Sequence, residues 1–460
     1  MNEVKIKEIL NKQRDFFNSG QTKSIEFRCQ QLKKLHDALH QNTQSILVAL
    51  KQDLNRCKKD AYLSEAYLLS KSLKYMQKNL TKFTKPVEVQ TPLLYLGSTA
   101  YVQPEPYGVV LIIASWNYPF ELNLNPLIGA IAAGNCAILK PSELSLSSSL
   151  VINKIISETF PPEYICVIEG DQETAKTLLE QKFDYIFFTG SDKVGSLVMQ
   201  SAAKYLTPVT FELGGKSPCI LDQTADIKNA AEKIVWSKLL NSGQTCLAPD
   251  YLIVHKEIKN KLIEEIKKVI IKFYGKDTIK HECYGKIINE KHFQRLVDLL
   301  ENHGMATEKL FDKQNLKIAP VIIDNAGWDD PLMQEEIFGP ILPIIEYEDL
   351  DFIIKKFNTL SKPLTLYIFS QDKEFQNQII NQTSSGSVCI NDTIIHYSVP
   401  NLPFGGVGQS GIGKYHGKAS FDTFSNAKSV FKSANFFERI FKIRYPSSRI
   451  PFWLIKKLLG

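Results

Sequence analysis

Apolar residues near the start of the chain recur at helical spacing. Ile25, Cys29, Leu32, Leu35 and Leu39 fall on one face among Lys, Gln and His, which predicts amphipathic helices from residue 25 to about residue 54. Beyond Lys85-Pro86 the pattern shortens, and residues 93–96 and 100–103, bounded by proline and glycine, predict a projecting hairpin of the kind that serves subunit contacts. From residue 109 to residue 213, strand-like apolar runs at 109–114, 137–139, 165–168, 186–188 and 209–213 alternate with helical stretches. That alternation predicts a parallel α/β sheet. Residues 142–147 offer capping serines ahead of a helix over 150–156. A second alternation, from Cys219 through Ile322, 365–369 and 387–390, predicts a second α/β domain. There is no internal repeat and no low-complexity segment.

Composition adds bounds rather than chemistry. A chain of 460 residues exceeds the usual size of one hydrophobic core, so two or three domains are expected. No run of 18 apolar residues occurs, and residues 1–10 mix Glu and Lys with apolar positions, so neither a membrane span nor a signal peptide is expected. The eight cysteines form no close pairs of the kind that hold zinc or work as a redox couple. Cys136, Cys166 and Cys219 fall in apolar runs, which fits reduced, buried thiols in a cytoplasmic setting. The net charge of +6 is concentrated in residues 436–460, where six basic side chains face Glu438 alone. The remainder is nearly neutral, which argues against a general nucleic-acid-binding surface.

Three local patterns carry candidate chemistry. Asn241-Ser242-Gly243-Gln244-Thr245-Cys246 places a thiol on a glycine-containing turn, where it would stand exposed as a nucleophile. Glu212 ends the run 208–213 just before a glycine pair, a placement suited to a general base. Asn117, at the end of another apolar run, offers an amide to a developing oxyanion. Thiol, carboxylate and amide together point to covalent chemistry at a carbonyl. After residues 185–188, the turn from Gly190 and Ser191 to Gly195 joins strand to helix and is a candidate phosphate-binding turn, although it lacks the Gly-x-Gly-x-x-Gly pattern.

In order along the chain, these patterns resemble the signature of the aldehyde dehydrogenase superfamily. Further landmarks are Pro106-Tyr107-Gly108-Val109, Leu139-Lys140-Pro141-Ser142-Glu143, Phe188-Thr189-Gly190-Ser191 and Glu335-Glu336-Ile337-Phe338-Gly339-Pro340. The run from Pro403 to Gly411, Lys414-Tyr415-His416-Gly417-Lys418, the short N-terminus and Trp116-Asn117-Tyr118-Pro119 resemble the class 3 branch, whose members act on fatty and aromatic aldehydes. The resemblance implies a Rossmann-like parallel-sheet cofactor domain (1–84 and 104–210), an α/β catalytic domain (211–393), and small β elements for oligomerisation (85–103 and 394–435).

The same resemblance implies site roles. Cys246 attacks the aldehyde, Asn117 and the backbone N–H of Cys246 hold the oxyanion, and Glu212 activates the water that cleaves the thioester. Gly190, Ser191 and Gly195 would belong to the cofactor loop, Lys140 and Glu143 would bind the adenine ribose, and Glu336 and Phe338 would meet the nicotinamide ribose and ring. Glu143 would repel the extra phosphate of NADP, so NAD is expected, with NADP usable; no metal is expected. Medium or long aliphatic or aromatic aldehydes are the implied substrates, with Trp116, Tyr118 and Leu122 as candidate lining of an apolar entrance. An acylating reaction with coenzyme A is the enzymatic alternative, disfavoured by Glu212, and binding without turnover is the non-enzymatic one. A homodimer is implied, through 90–103 and 411–424. In the tail, Phe436, Phe437, Phe441, Tyr445, Phe452, Trp453, Leu454 and Ile455 alternate with basic residues, fitting either the partner subunit or peripheral contact with a membrane.

Overall fold

The computed structural model describes residues 3–92, 95–305, 308–324, 326–434 and 451–459. The predicted N-terminal helices are present as Ile25–Gln41 and Thr43–Leu54, divided at Asn42. Ser24 caps the first by accepting from the Phe27 N–H, and Leu32, Leu35 and Leu39 are buried. Ile25–Gln41 packs with Tyr67–Phe83 against the helix Pro119–Ala133, all of whose residues are buried, while Thr43–Leu54 packs on the helix Leu146–Thr159.

That sheet has the strand order Gly411–Ile412, Val209–Leu213, Tyr185–Gly190, Val109–Ile113, Cys136–Lys140, Ile165–Val167. All neighbours run parallel except Gly411–Ile412, which pairs antiparallel with Val209–Leu213. The fully buried strands Val109–Ile113 and Cys136–Lys140 read as continuous apolar runs because helices cover both faces. The second sheet, all of whose neighbours run parallel, has the order Val321–Ile323, Ile341–Tyr347, Tyr251–His255, Pro218–Leu221, Thr365–Phe369, Ser387–Ile390. A third, antiparallel sheet joins Val87–Val89, Thr99–Pro106 and Ser425–Lys432 and exposes Val87, Val89 and Phe431.

Several expectations change. Residues 95 and 96 form a turn rather than a strand, and the hairpin partner of Thr99–Pro106 is Val87–Val89; residues 93 and 94 lie outside the described residues. The helix expected over 150–156 runs from Leu146 to Thr159. Its flanking Ser145 makes no side-chain cap. Asp53, from a helix almost a hundred residues earlier, accepts from the backbone N–H groups of Ser147 and Ser148 instead. The boundary at 210/211 falls inside Val209–Leu213, which belongs wholly to the first sheet, and the one at 103/104 falls inside Thr99–Pro106. Residues 411–424, implied as an assembly element, supply that sheet's sixth strand and a short helix, Lys418–Thr423, against Pro119–Ala133. Among the tail residues, 436, 437, 441 and 445 lie outside the described residues; Phe452–Leu459 is helical, with Phe452 and Trp453 exposed.

Candidate active site

A cleft of about 640 Å³ runs between the carboxyl edge of the first sheet and the amino edge of the second. From the first sheet come residues that follow or end strands: Asn117 after Val109–Ile113, Ser191 after Tyr185–Gly190, and Glu212 as the penultimate residue of Val209–Leu213. From the second come residues that precede strands: Lys216, Cys246, Glu336 and Thr359. The thiol, carboxylate and amide singled out in sequence therefore share one cleft, because parallel strands deliver their ends to one edge.

Cys246 is half-buried rather than fully exposed as expected. Its loop begins with Asn241 and Ser242 at φ 50° and 54°, left-handed values that non-glycine residues adopt only when neighbours hold them. Gln244 is the holder. Its side chain donates to Asn241 O (3.0 Å) and Lys286 O (2.9 Å) and accepts from Ile288 N (3.0 Å). Asn117 is tied into the same knot, since its Nδ2 donates to Gln244 O (3.2 Å) while Asn241 Nδ2 donates to Asn117 O (2.9 Å). The amide thus sits beside the thiol's loop with a second N–H to offer. Burial, then the nearby carboxyls of Glu336 and Glu212, push the Cys246 thiol above its ordinary range. The backbone N–H groups of Cys246 and Leu247 pull the other way.

Glu212 is buried, and among the described residues neither carboxylate oxygen has a hydrogen-bond partner. Burial raises its pKa well above the usual carboxylate range, opposed only by Lys414. Lys414 donates to the carbonyls of Gly386 (3.0 Å) and Gly405. At Gly405, with φ +154°, a Cβ would come 2.5 Å from Gly413 O and 2.7 Å from Glu212 Oε1, so only glycine leaves the carboxylate its place.

Behind Asn117 lies a buried ion pair that the sequence reading missed. Glu65, on a π-helical turn, accepts from Arg56 Nη1 (2.8 Å) through one oxygen and from the Phe120 and Glu121 N–H groups (2.8 and 3.2 Å) through the other. It thereby caps the helix Pro119–Ala133 from outside and fixes where Asn117 leaves the preceding strand. Removing one partner of such a pair costs about 3–5 kcal/mol.

Of the residues expected to meet a cofactor, Gly190, Ser191, Glu336 and Phe338 line the cleft, whereas Gly195, Lys140 and Glu143 lie outside its lining. Gly195 is buried in the helix Asp192–Ala203, where a Cβ would come 2.8 Å from Leu213. Lys140 is buried at its strand end, donating to Pro141 O (2.8 Å) and pairing with Glu143 (3.4 Å), and burial lowers its pKa. A Cβ on Gly214 would collide with the Glu336 carboxylate, which accepts from the Gly215 N–H and is pushed up to about 8 by burial and Asp250. Phe338 packs edge-on against Trp116, 5.4 Å between ring centroids. Thr189 Oγ1 is buried here without a protein partner among the described residues, and Ser191 opens a helix whose first N–H groups face the cleft. Such an arrangement fits a dinucleotide phosphate.

The sequence profile of the aldehyde dehydrogenase family matches residues 1–430. The chain belongs to the aldehyde dehydrogenase family. It is 49% identical over 423 residues to the 4,4'-diaponeurosporen-aldehyde dehydrogenase of Staphylococcus aureus (strain NCTC 8325 / PS 47), covering 91% of this chain and 92% of that protein. Against the mouse dimeric NADP-preferring aldehyde dehydrogenase, identity is 42% over 443 residues, 96% and 98% of the two chains. A solved structure of Staphylococcus aureus AldH in its substrate-bound state superposes with a TM-score of 0.94, at 45% identity and 100% coverage of both chains. This aldehyde dehydrogenase therefore oxidises aldehydes to carboxylic acids with NAD(P) as acceptor.

Beyond Arg56 and Glu65, the sequence reading gave no role to Lys414, Tyr415, Tyr397 or Glu121, all four of which stand at or against the cleft. Lys414-Tyr415 was visible as a landmark. What it touches was not, because Glu212 lies some two hundred residues away.

Proposed function

We propose that the enzyme oxidises medium- or long-chain aliphatic or aromatic aldehydes, with Cys246 as nucleophile, Asn117 as oxyanion donor and Glu212 as hydrolytic base. The observation that supports this most is the knot joining Asn117 to the Cys246 loop across a cleft that also holds the unpartnered Glu212 carboxylate. Cys246 Sγ attacks the aldehyde carbon, and the oxyanion accepts from Asn117 Nδ2 and the Cys246 backbone N–H. Bound NAD(P) supplies the nicotinamide ring that accepts the hydride from that carbon. An acyl thioester then remains on Cys246. Glu212 takes a proton from water as the water attacks the acyl carbon, and the thiolate leaves.

Gly190, Ser191, Glu336 and Phe338 would hold the cofactor in the cleft, and Lys140 with Glu143 the adenine ribose beyond it. Glu143 disfavours a ribose phosphate, so NAD is preferred, while the adjacent Lys140 leaves NADP usable. The substrate limb, with Leu68, Trp116, Tyr118, Leu122, Ile394 and Phe404 in its walls, is apolar enough for a hydrocarbon chain. A series of aldehydes of increasing chain length, run with NAD and with NADP, should give kcat/KM rising with length and higher with NAD. Products analysed by mass should be free acids whether or not coenzyme A is present; a flat series, or acyl-coenzyme A as product, would sink the reading.

The exposed third sheet, Val87–Val89 and Thr99–Pro106 with Ser425–Lys432, supports a homodimer as the assembly. The tail supports peripheral attachment to anionic lipid: Phe452 and Trp453 are 79% and 65% exposed on a helix that also carries Lys456 and Lys457. Among the described residues no helix is long and apolar enough to cross a membrane. Full-length protein should co-sediment with anionic vesicles at low salt and a chain ending at Ala434 should not, while both remain dimers by light scattering. Equal sedimentation of the two would remove the lipid role, and dimer loss on truncation would assign the tail to the partner subunit.

A further inference from the structure

Each turnover oxidises RCHO to RCOO⁻, with water supplying the second oxygen, and reduces NAD⁺ to NADH, releasing two protons inside the cleft. Resting on the roles proposed for Cys246 and Glu212, the question is how those protons leave. Glu212 is buried and unpartnered among the described residues, so it has no hydrogen-bonded neighbour of its own to discharge to.

A file of polar groups begins in the wall of the same cleft. The Tyr415 hydroxyl is buried and feels the charge of both Glu212 and Cys246. It lies 3.2 Å from the Tyr397 hydroxyl, which in turn donates to Glu121 Oε1 at 3.0 Å. All three residues line the cleft. Glu121 Oε1 also accepts from Asn125 Nδ2 (2.6 Å), which sits 3.3 Å from His416 Nε2. Glu121, Asn125, Tyr397 and His416 also line a second cavity of about 20 Å³, together with the half-exposed Lys71, Tyr75 and Pro400. That volume is enough for one water.

Glu121 is therefore a wall shared by two cavities. It is 2% exposed, and its second oxygen has no protein partner among the described residues. The groups around it are Asn125 on its own helix, Tyr397 and His416 from the later segment, and Glu65, whose carboxylate holds the Glu121 N–H and is itself paired with Arg56. Lys71, across the small cavity, donates to Ser398 O. Burial places the Glu121 carboxyl at about 8, opposed by the Asn125 and Tyr397 hydrogen bonds. It can thus take and release a proton near neutral pH, while burial holds His416 as a neutral imidazole.

We propose that Tyr415, Tyr397 and Glu121 form a proton-exit path, carrying the proton collected by Glu212 out of the cleft to the small cavity and the solvent beyond it. Protonated Glu212 gives its proton through water in the cleft they both line to the Tyr415 oxygen, as the Tyr415 proton moves to Tyr397 and the Tyr397 proton to the Glu121 carboxylate. Glu121 then gives a proton to water, and both hydroxyls end as they began.

The test uses the full-length enzyme carrying Glu121→Gln or Tyr397→Phe, with NAD and a good aldehyde substrate. The first burst of NADH should keep its full amplitude, because acylation does not need the exit. Steady-state turnover at pH 7 in dilute buffer should fall on the order of tenfold, less than the 10²–10⁴-fold that a directly acting base supplies. Adding imidazole, a small mobile proton carrier, should restore most of it in the variants and leave the parent enzyme unchanged. Normal turnover in Tyr397→Phe, or a loss that imidazole does not relieve, would overturn the path; should Glu121→Gln fail to fold, Tyr397→Phe decides alone. Failure of the underlying roles would show separately, as turnover retained by the Cys246 and Glu212 variants.

Discussion

Cys246→Ala is expected to abolish NADH formation, by at least about 10⁴-fold in kcat/KM, while cofactor affinity stays near that of the parent. The two outcomes separate because of where the groups lie. The thiol is carried by the loop before Tyr251–His255 in the second sheet, whereas Ser191 and the helix Asp192–Ala203 belong to the first. Without the sulfur no covalent adduct forms, and Asn117 has no oxyanion to receive. Since the knot around Gln244 does not use the Cys246 side chain, the loop should keep its shape. Initial rates and a cofactor titration by fluorescence measure both halves, and appreciable oxidation in this variant would refute the assignment of the nucleophile.

Glu212→Gln should separate the two halves of the reaction. Acylation and hydride loss proceed, giving a rapid burst of NADH equivalent to the active sites. Thioester hydrolysis then slows by about 10²–10⁴-fold. Rapid mixing reads the burst and steady-state absorbance the stall; ordinary steady-state turnover would remove Glu212 from the role of base. The same substitution should also stabilise the fold, with a definite sign against pH. In the unfolded chain this carboxyl titrates near about 4.3, whereas burial raises it well above that in the folded protein. The folded state therefore holds the proton more tightly, and its stability declines as pH rises between the two values, each unit of displacement being about 1.4 kcal/mol. Glutamine carries no such charge. Its melting temperature should exceed that of the parent at neutral and alkaline pH, and the difference should close as pH falls toward the unfolded value. A carboxylate kept at a cost to stability is what a working base requires, and a merely structural residue there would destabilise on replacement.

Much of this could be read along the chain. The runs at 109–114, 137–139, 165–168, 186–188 and 209–213 all became strands of one parallel sheet, since a strand covered on both faces must be apolar throughout, whatever its neighbours are. Cys246, Glu212 and Asn117 were legible for a related reason: each stands where a regular element ends in a turn, and the turn residues mark the place. The strands Tyr251–His255 and Ile341–Tyr347 are not among the expected runs, although both are apolar and each follows a turn-forming pair, Pro249-Asp250 and Gly339-Pro340.

What only the tertiary structure decided are the pairings between distant residues. A two-residue strand such as Gly411–Ile412 has no local signature and exists because the edge of Val209–Leu213 offers it hydrogen bonds. Asp53 capping the helix Leu146–Thr159, Glu65 capping Pro119–Ala133, and Tyr397 reaching Glu121 across 276 residues are each a polar group satisfied by a partner the sequence does not place beside it. Motif order, apolar periodicity and turn chemistry, which act over a few residues, suffice for the family, the two sheets and the three candidate reacting groups. The burial that leaves Glu212 unpartnered, the knot that sets Asn117 against the Cys246 loop, and the polar file behind Glu121 depend on how the sheets and helices close upon one another, and arise only when the whole chain has packed.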